Sequence, residues 1–281
     1  MQVRMLLVLA CSLAVGCGGG ESGSRQPARP VTPLDLSTTG TIEVDVGFHG
    51  AVPPMQELRM GGFAECAAQH AGPVPAGDML VKDGHVENAF VYIKSGLGDR
   101  VFAVPTEPVV IDQKGCLYVP RVAGAQVGQA IEFHNSDATL HNIHGTPKDS
   151  SAWNIALPRE GTQRTITVDH PEVMISVRCD LHPWMQGWLG VLEHPYFGVS
   201  GPDGHVTLRN VPPGDYVVGV WHERFGTRET PVSVTPKGTA TPASRWLLPH
   251  EGTCEGGPID DPPSGLVGRQ RVSPSNVGRR G

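Results

Sequence analysis

The chain has 281 residues, a formal net charge of −6, 36 Gly and 26 Pro. So modest a charge offers no basic surface to a polyanion, and nucleic acid is excluded as a partner. Abundant turn formers without a long apolar helical stripe predict an all-β protein of many short strands.

Residues 1–16 carry Arg4 followed by an apolar run from Met5 to Val15, a targeting segment too short to span a bilayer permanently. It ends Leu13-Ala14-Val15-Gly16-Cys17, which resembles a bacterial lipoprotein signal peptide. The resemblance implies cleavage before Cys17, lipidation of that cysteine, and a place in the bacterial cell envelope. Gly18 stands where inner-membrane lipoproteins usually carry aspartate, so an outer-membrane anchor facing the periplasm or the surface is expected. Residues 17–40, Gly/Ser-rich and then Pro-rich, hold too little apolar sequence to bury and read as a flexible tether.

The segment 41–195 is the main domain. Strands are predicted at Gly40–Phe48, where Thr-Ile-Glu-Val-Asp-Val alternates, and then at Ala89–Lys94, Val109–Ile111, Cys116–Val119, Ala130–His134, Arg164–Val168 and Val173–Arg178. Their spacing suits an antiparallel sandwich. Six cysteines are encoded, of which Cys11 leaves with the signal and Cys17 is lipidated. With Cys179 set aside for the loop 179–185 and Cys254 in the tail, the arithmetic of an exported protein pairs Cys66 with Cys116. A metal role for Cys66 with His70 is the weaker alternative.

The chemistry concentrates at Cys179-Asp180-Leu181-His182-Pro183-Trp184-Met185, which sets a thiolate, an imidazole and a thioether three residues apart on one loop. Such a soft donor set suits copper cycling between Cu(I) and Cu(II), and a second imidazole is needed to complete it. Upstream, Phe133 to His144 contains His134, His141 and His144. On an extended strand both His134 and His144 point to the face opposite His141. A turn after Ile143 would void that parity, so His144 stays in reserve.

His141-Asn142 together with Cys179, His182 and Met185 resembles the cupredoxins, the small blue copper proteins such as plastocyanin, amicyanin and pseudoazurin. The resemblance covers about residues 80–195. It implies a Greek-key β-sandwich of cupredoxin type holding one type 1 copper on His141, Cys179, His182 and Met185. Asn142 would brace the ligand loop by hydrogen bonds, as its family counterpart does.

From residue 196 the texture changes. Gly204 to Tyr216 matches the Gly-x-Val-x-Leu…Pro-Pro-Gly-x-Tyr pattern and resembles the carboxypeptidase regulatory-like, or transthyretin-like, β module. Residues 196–248 hold too few strands for a full sandwich, so the module is expected to be small, to pack on the copper domain and to share the early strands near 41–48. His222 reads as a satisfied strand-end histidine. Residues 249–281, rich in Gly, Pro, Ser and Arg without hydrophobic period, read as a disordered tail.

The functional expectation is a one-electron carrier, docking a cytochrome c or another copper protein through an apolar rim of Pro183, Trp184 and Trp188. The alternative is a surface-anchored module that stores or delivers copper, or that binds protein or glycan without redox turnover. An enzyme is not expected. Catalytic copper proteins commonly place a His-Cys-His run at a second copper centre, and here Arg178 and Asp180 flank Cys179.

Overall fold

The structure, a computed structural model, describes residues 29–247. The signal segment 1–16, Cys17, the tether up to residue 28, Cys254 and the tail 249–281 lie outside the described residues. Residues 29–39, expected to be the end of a loose tether, are tied to the body. Thr32 N–H donates to Val101 O at 2.8 Å, Arg29 Nη2 to Asp99 O at 2.6 Å, and Lys237 Nζ to Leu36 O at 2.7 Å. One backbone and two side-chain hydrogen bonds hold here what composition alone leaves free.

Strand β1 (Gly40–His49) follows at once, and its alternation is realised: Ile42, Val44, Val46 and Phe48 are buried while Glu43, Asp45 and His49 face outward. A short helix α1 (Ala64–Ala67) interrupts a long connection to the hairpin β2 (Val81–Lys82) and β3 (His85–Val86). Its turn is Asp83-Gly84, both at positive φ, the chemistry that a tight two-residue hairpin favours. Strand β4 (Phe90–Ser95) buries four consecutive residues, Phe90 to Ile93, so both of its faces are covered.

Nine strands then build the site-bearing unit: β5 (Val109–Gln113), β6 (Tyr118–Val119), β7 (Val122–Gln126), β8 (Ile131–Asn135), β9 (His141–Gly145), β10 (Trp153–Leu157), β11 (Gln163–Ile166), β12 (Glu172–Arg178) and β13 (Gln186–Leu192). One sheet runs β10-β9-β12-β13-β7 and the other β11-β8-β5-β6. Pairing is parallel at β5–β8 and β7–β13 and antiparallel elsewhere in these two sheets. Their inner faces share one core containing Ile111, Ile131 and Phe133 from one sheet and Ile143, Ile175, Val177 and Leu189 from the other. That is a β-sandwich.

The last strands are β14 (Phe197–Val199), β15 (His205–Val211), β16 (Gly214–His222), β17 (Gly226–Val234), β18 (Thr239–Ala240) and β19 (Ala243–Leu247). They are not a small appendage. β1 pairs with β15, β18 and β19, while β4 lies between β14 and β16. The strands before residue 96 and those after 196 therefore make a second sandwich, with Val44, Val46, Val91, Ile93, Val218 and Val220 in its core. The sharing expected for residues 41–48 is present and extends to β2, β3 and β4, so the site-bearing unit is a continuous insert. Tyr216, at the end of the Gly204–Tyr216 pattern, is buried and closes its corner by donating to Pro212 O at 2.6 Å.

The second face of β4 explains its burial. Phe90 lies over Gly124 and Gly190, neighbours on β7 and β13, where an added Cβ would come within 2.8 and 2.5 Å of the Phe90 ring. Arg121 and Glu223 form a two-pronged ion pair across the same junction, and Trp188 Nε1 donates to Glu223 at 3.2 Å. The two sandwiches are thus seated through glycine slots and a charge clamp.

Candidate metal centre

Cys179 leaves β12 and Met185 precedes β13, so the seven-residue loop is the turn between two paired strands. Arg178 and Gln186 are register partners at its base. Cys179 N–H donates to Met185 O at 3.2 Å and Met185 N–H to His182 O at 2.9 Å. This tight closure brings Cys179, His182 and Met185 onto the buried side, at 3%, 4% and 1% exposure. His141, the first residue of β9, is fully buried against them.

Three donor atoms converge. His141 Nδ1 lies 3.0 Å from His182 Nδ1, and Cys179 Sγ is 3.5 Å from His182 Nδ1 and 3.9 Å from His141 Nδ1. Met185 is buried in the same cluster as Cys179. Asn142 straps the loop: its Oδ1 accepts the Asp180 N–H at 2.7 Å, and its Nδ2 donates to Asp180 Oδ2 and Asn154 Oδ1. His144 lies apart from this group, half exposed, with Nδ1 2.8 Å from Asp180 Oδ1. His134 faces outward beside Glu132, at 3.3 Å.

The electrostatics of the cluster shift its members in opposite directions, lowering Cys179 and His182 and raising His141. Burial works to raise the Cys179 thiol, but the hydrogen bond from His141 and the N–H groups of Asn142, Leu181 and His182 outweigh it and hold the thiol below its ordinary value. Burial works to lower His141, yet the contacts with Asp137 and Cys179 carry it upward. His182 is pushed down by burial and by His141.

Asp137 is the participant that sequence reading missed. It is 1% exposed and accepts from His141 Nε2 at 2.9 Å, Cys116 N at 2.7 Å and Gly115 N at 2.8 Å. Its only sequence signal is its place four residues before His141. Burial works to raise its carboxyl, but these hydrogen bonds hold it below the usual carboxylate range.

The Cys66–Cys116 disulfide is formed. It packs against the site, with ring nitrogen and both sulfurs of His182, Cys66 and Cys116 within 4.8 Å of one another. His70, the alternative partner of Cys66, instead sets Nε2 2.8 Å from Gly115 O. Phe63, just before α1, meets His182 edge-on at 5.1 Å and Trp184 at 4.9 Å between ring centroids. The rim expected from Pro183, Trp184 and Trp188 is not assembled as one patch. Trp184 donates Nε1–H to Cys116 O at 3.0 Å beneath Phe63, and Trp188 meets Trp221 edge-on, ring centroids 5.1 Å apart, at the junction of the sandwiches. Pro183 is exposed, as are Phe63 at 38%, Leu140 at 42% and Leu181 at 43%.

His222 ends β16, buried, with Nδ1 accepting the Arg224 N–H at 3.2 Å and its ring stacked on Phe225, a satisfied histidine. Among the described residues no helix is long and apolar enough to cross a membrane.

No protein-family model matches the chain, and no curated protein matches it. Several solved structures do. A copper-containing nitrite reductase (NirK) from Thermus scotoductus SA-01 aligns at 24% identity and TM-score 0.28, covering 35% of this chain and 25% of its own. The chain therefore spans only a quarter of that reductase. A purple cupredoxin from Nitrosopumilus maritimus aligns at 20% identity and TM-score 0.26 over 30% of this chain and 98% of its own. A reduced point mutant of amicyanin aligns at 21% identity and TM-score 0.28 over 36% of this chain and 97% of its own.

Proposed function

We propose that this protein holds one type 1 copper on His141, Cys179, His182 and Met185 and carries single electrons in the bacterial cell envelope. The observation that supports this is the convergence of two imidazole nitrogens and one thiol sulfur, 3.0 to 3.9 Å apart, at a buried point. An ion bonded about 2.0–2.3 Å from nitrogen and sulfur donors fits separations of that size, and a thiolate, imidazole and thioether set favours copper. Copper, when bound, supplies reversible one-electron exchange between Cu(I) and Cu(II).

The chain's own residues do the rest. Cys179 offers a thiol already biased toward thiolate. Asn142 and the Cys179–Met185 hydrogen bond keep the loop from rearranging, so the donors keep their places whichever charge they hold. Burial of all four side chains excludes water. Leu181 and Pro183, with Phe63 and Leu140, offer apolar surface for brief contact with a cytochrome c or another copper protein. Lipidation at Cys17 would hold the protein on the outer membrane, and replacing Cys17 by Ala should move it to the soluble fraction. Arg178 and Asp180, in place of a His-Cys-His run, support a carrier over an enzyme.

A second reading, copper storage or delivery, is favoured by one observation: His182 is covered by Phe63 and the disulfide. Stopped-flow mixing of the copper-loaded protein with a reduced small c-type cytochrome separates the two. A carrier exchanges quickly at unchanged copper content. Sluggish exchange with every donor, and occupancy that follows external copper, would replace the carrier reading by storage.

A further inference from the structure

We propose that Asp137 is a positioning residue that fixes Nδ1 of His141 as the nitrogen facing the metal and lowers the reduction potential of the centre. The potential half of this rests on the copper reading above, whereas the orientation half does not.

The carboxylate sits in a cradle of donors. Gly115 and Cys116, consecutive residues at φ +66° and +55°, aim both backbone N–H groups at it, the anion-holding arrangement of successive amides. Asp137 Oδ1 takes the Gly115 N–H, and Oδ2 takes both the Cys116 N–H and His141 Nε2. An ionised carboxylate only accepts, so Nε2 of His141 must carry hydrogen. That leaves Nδ1, 3.0 Å from His182 Nδ1 and 3.9 Å from Cys179 Sγ, as the nitrogen free to lose its proton to a metal. The side chains of Asp137 and His141 are both wholly buried, so water does not screen the pair.

A carboxylate behind a ligand imidazole raises its basicity. A buried negative charge at that distance favours the more highly charged state of the metal over the less charged one. The same cradle links the disulfide to the site, because Cys116 contributes both the amide that holds Asp137 and the sulfur beside His182.

Two measurements test this. In metal-free wild type, nitrogen-15 NMR should find the His141 Nε2–H as a slowly exchanging, low-field proton. In Asp137→Asn, which keeps the shape and removes the charge, that proton should exchange rapidly. An unprotonated or freely exchanging Nε2 in the wild type would overturn the orientation claim without any variant having to fold. In the copper-loaded proteins, Asp137→Asn should raise the reduction potential, a readout that a purely structural role would not move. An unchanged potential with intact copper binding would overturn the tuning claim alone. Failure of the wild type to bind copper would instead overturn the function proposed above and leave the NMR result standing.

Discussion

At the residue scale the molecule shows how burial sets protonation. His222, 1% exposed and stacked on Phe225, is pushed down by burial from 6.5 to about 4, with Glu223 and Asp78 only partly opposing. The folded protein therefore keeps His222 neutral to about pH 4, while the unfolded chain takes up a proton below 6.5. Stability linked to this residue is whole above pH 6.5 and is lost as pH falls toward 4, by roughly 3 kcal/mol at about 1.36 kcal/mol per pH unit. Denaturant melts of wild type and His222→Gln between pH 7 and 4 should show a shallower loss in the variant. His194, also driven by burial to about 4, keeps some slope in both. Parallel curves would mean that His222 is protonated in the folded state. The cluster of Cys179, His182 and Met185 was legible in sequence because their spacing is a chemical signature on one loop, whereas His141, on β9, was reached through strand parity and the family resemblance. Asp137 and Phe63 were not, because an Asp in an Asn-Ser-Asp turn and a Phe in a Gly-rich connection carry no pattern. Only the fold brings them to His141 and His182.

At the element scale, strands with alternating or β-branched sequence were legible nearly to their ends, as β1, β4, β8 and β12 show. Strand β6 starts two residues later than expected, because Gly115 and Cys116 turn at positive φ to face Asp137. Strands β7 and β13 went unread: Val-Ala-Gly-Ala-Gln and Gln-Gly-Trp-Leu-Gly-Val-Leu lack period, since glycine there serves the packing of Phe90. Replacing Gly190 by Ala puts a methyl 2.5 Å from the Phe90 ring and should cost about 1–3 kcal/mol in urea unfolding. A neutral result would mean that the β4–β13 contact yields freely. The disulfide anchors the connection that carries Phe63 and α1 against the site. Changing both Cys66 and Cys116 to Ser should cost about 2–5 kcal/mol in urea unfolding. Stability identical to wild type would show the connection to be held by packing alone.

At the scale of the whole molecule, the sequence marked a change of texture near residue 196 but not that the chain returns there to strands laid down before residue 96. Long-range pairing of β1 with β15 and of β4 with β16 leaves no local trace. A chain ended after residue 195 should consequently aggregate, because Ile42, Val44, Val91 and Ile93 would lose the core they share with Val218 and Val220. A soluble, cooperatively melting truncation would show that the site-bearing unit carries β1 and β4 unaided. All of this scaffold converges on one buried point, and the visible absorption spectrum of the copper-loaded protein, compared across Cys179→Ser and His144→Ala, tests it most directly. An intense thiolate-to-copper band is expected at one copper per chain, abolished in Cys179→Ser and nearly intact in His144→Ala. No such band in the wild type, or a band that survives the loss of Cys179, would contradict it.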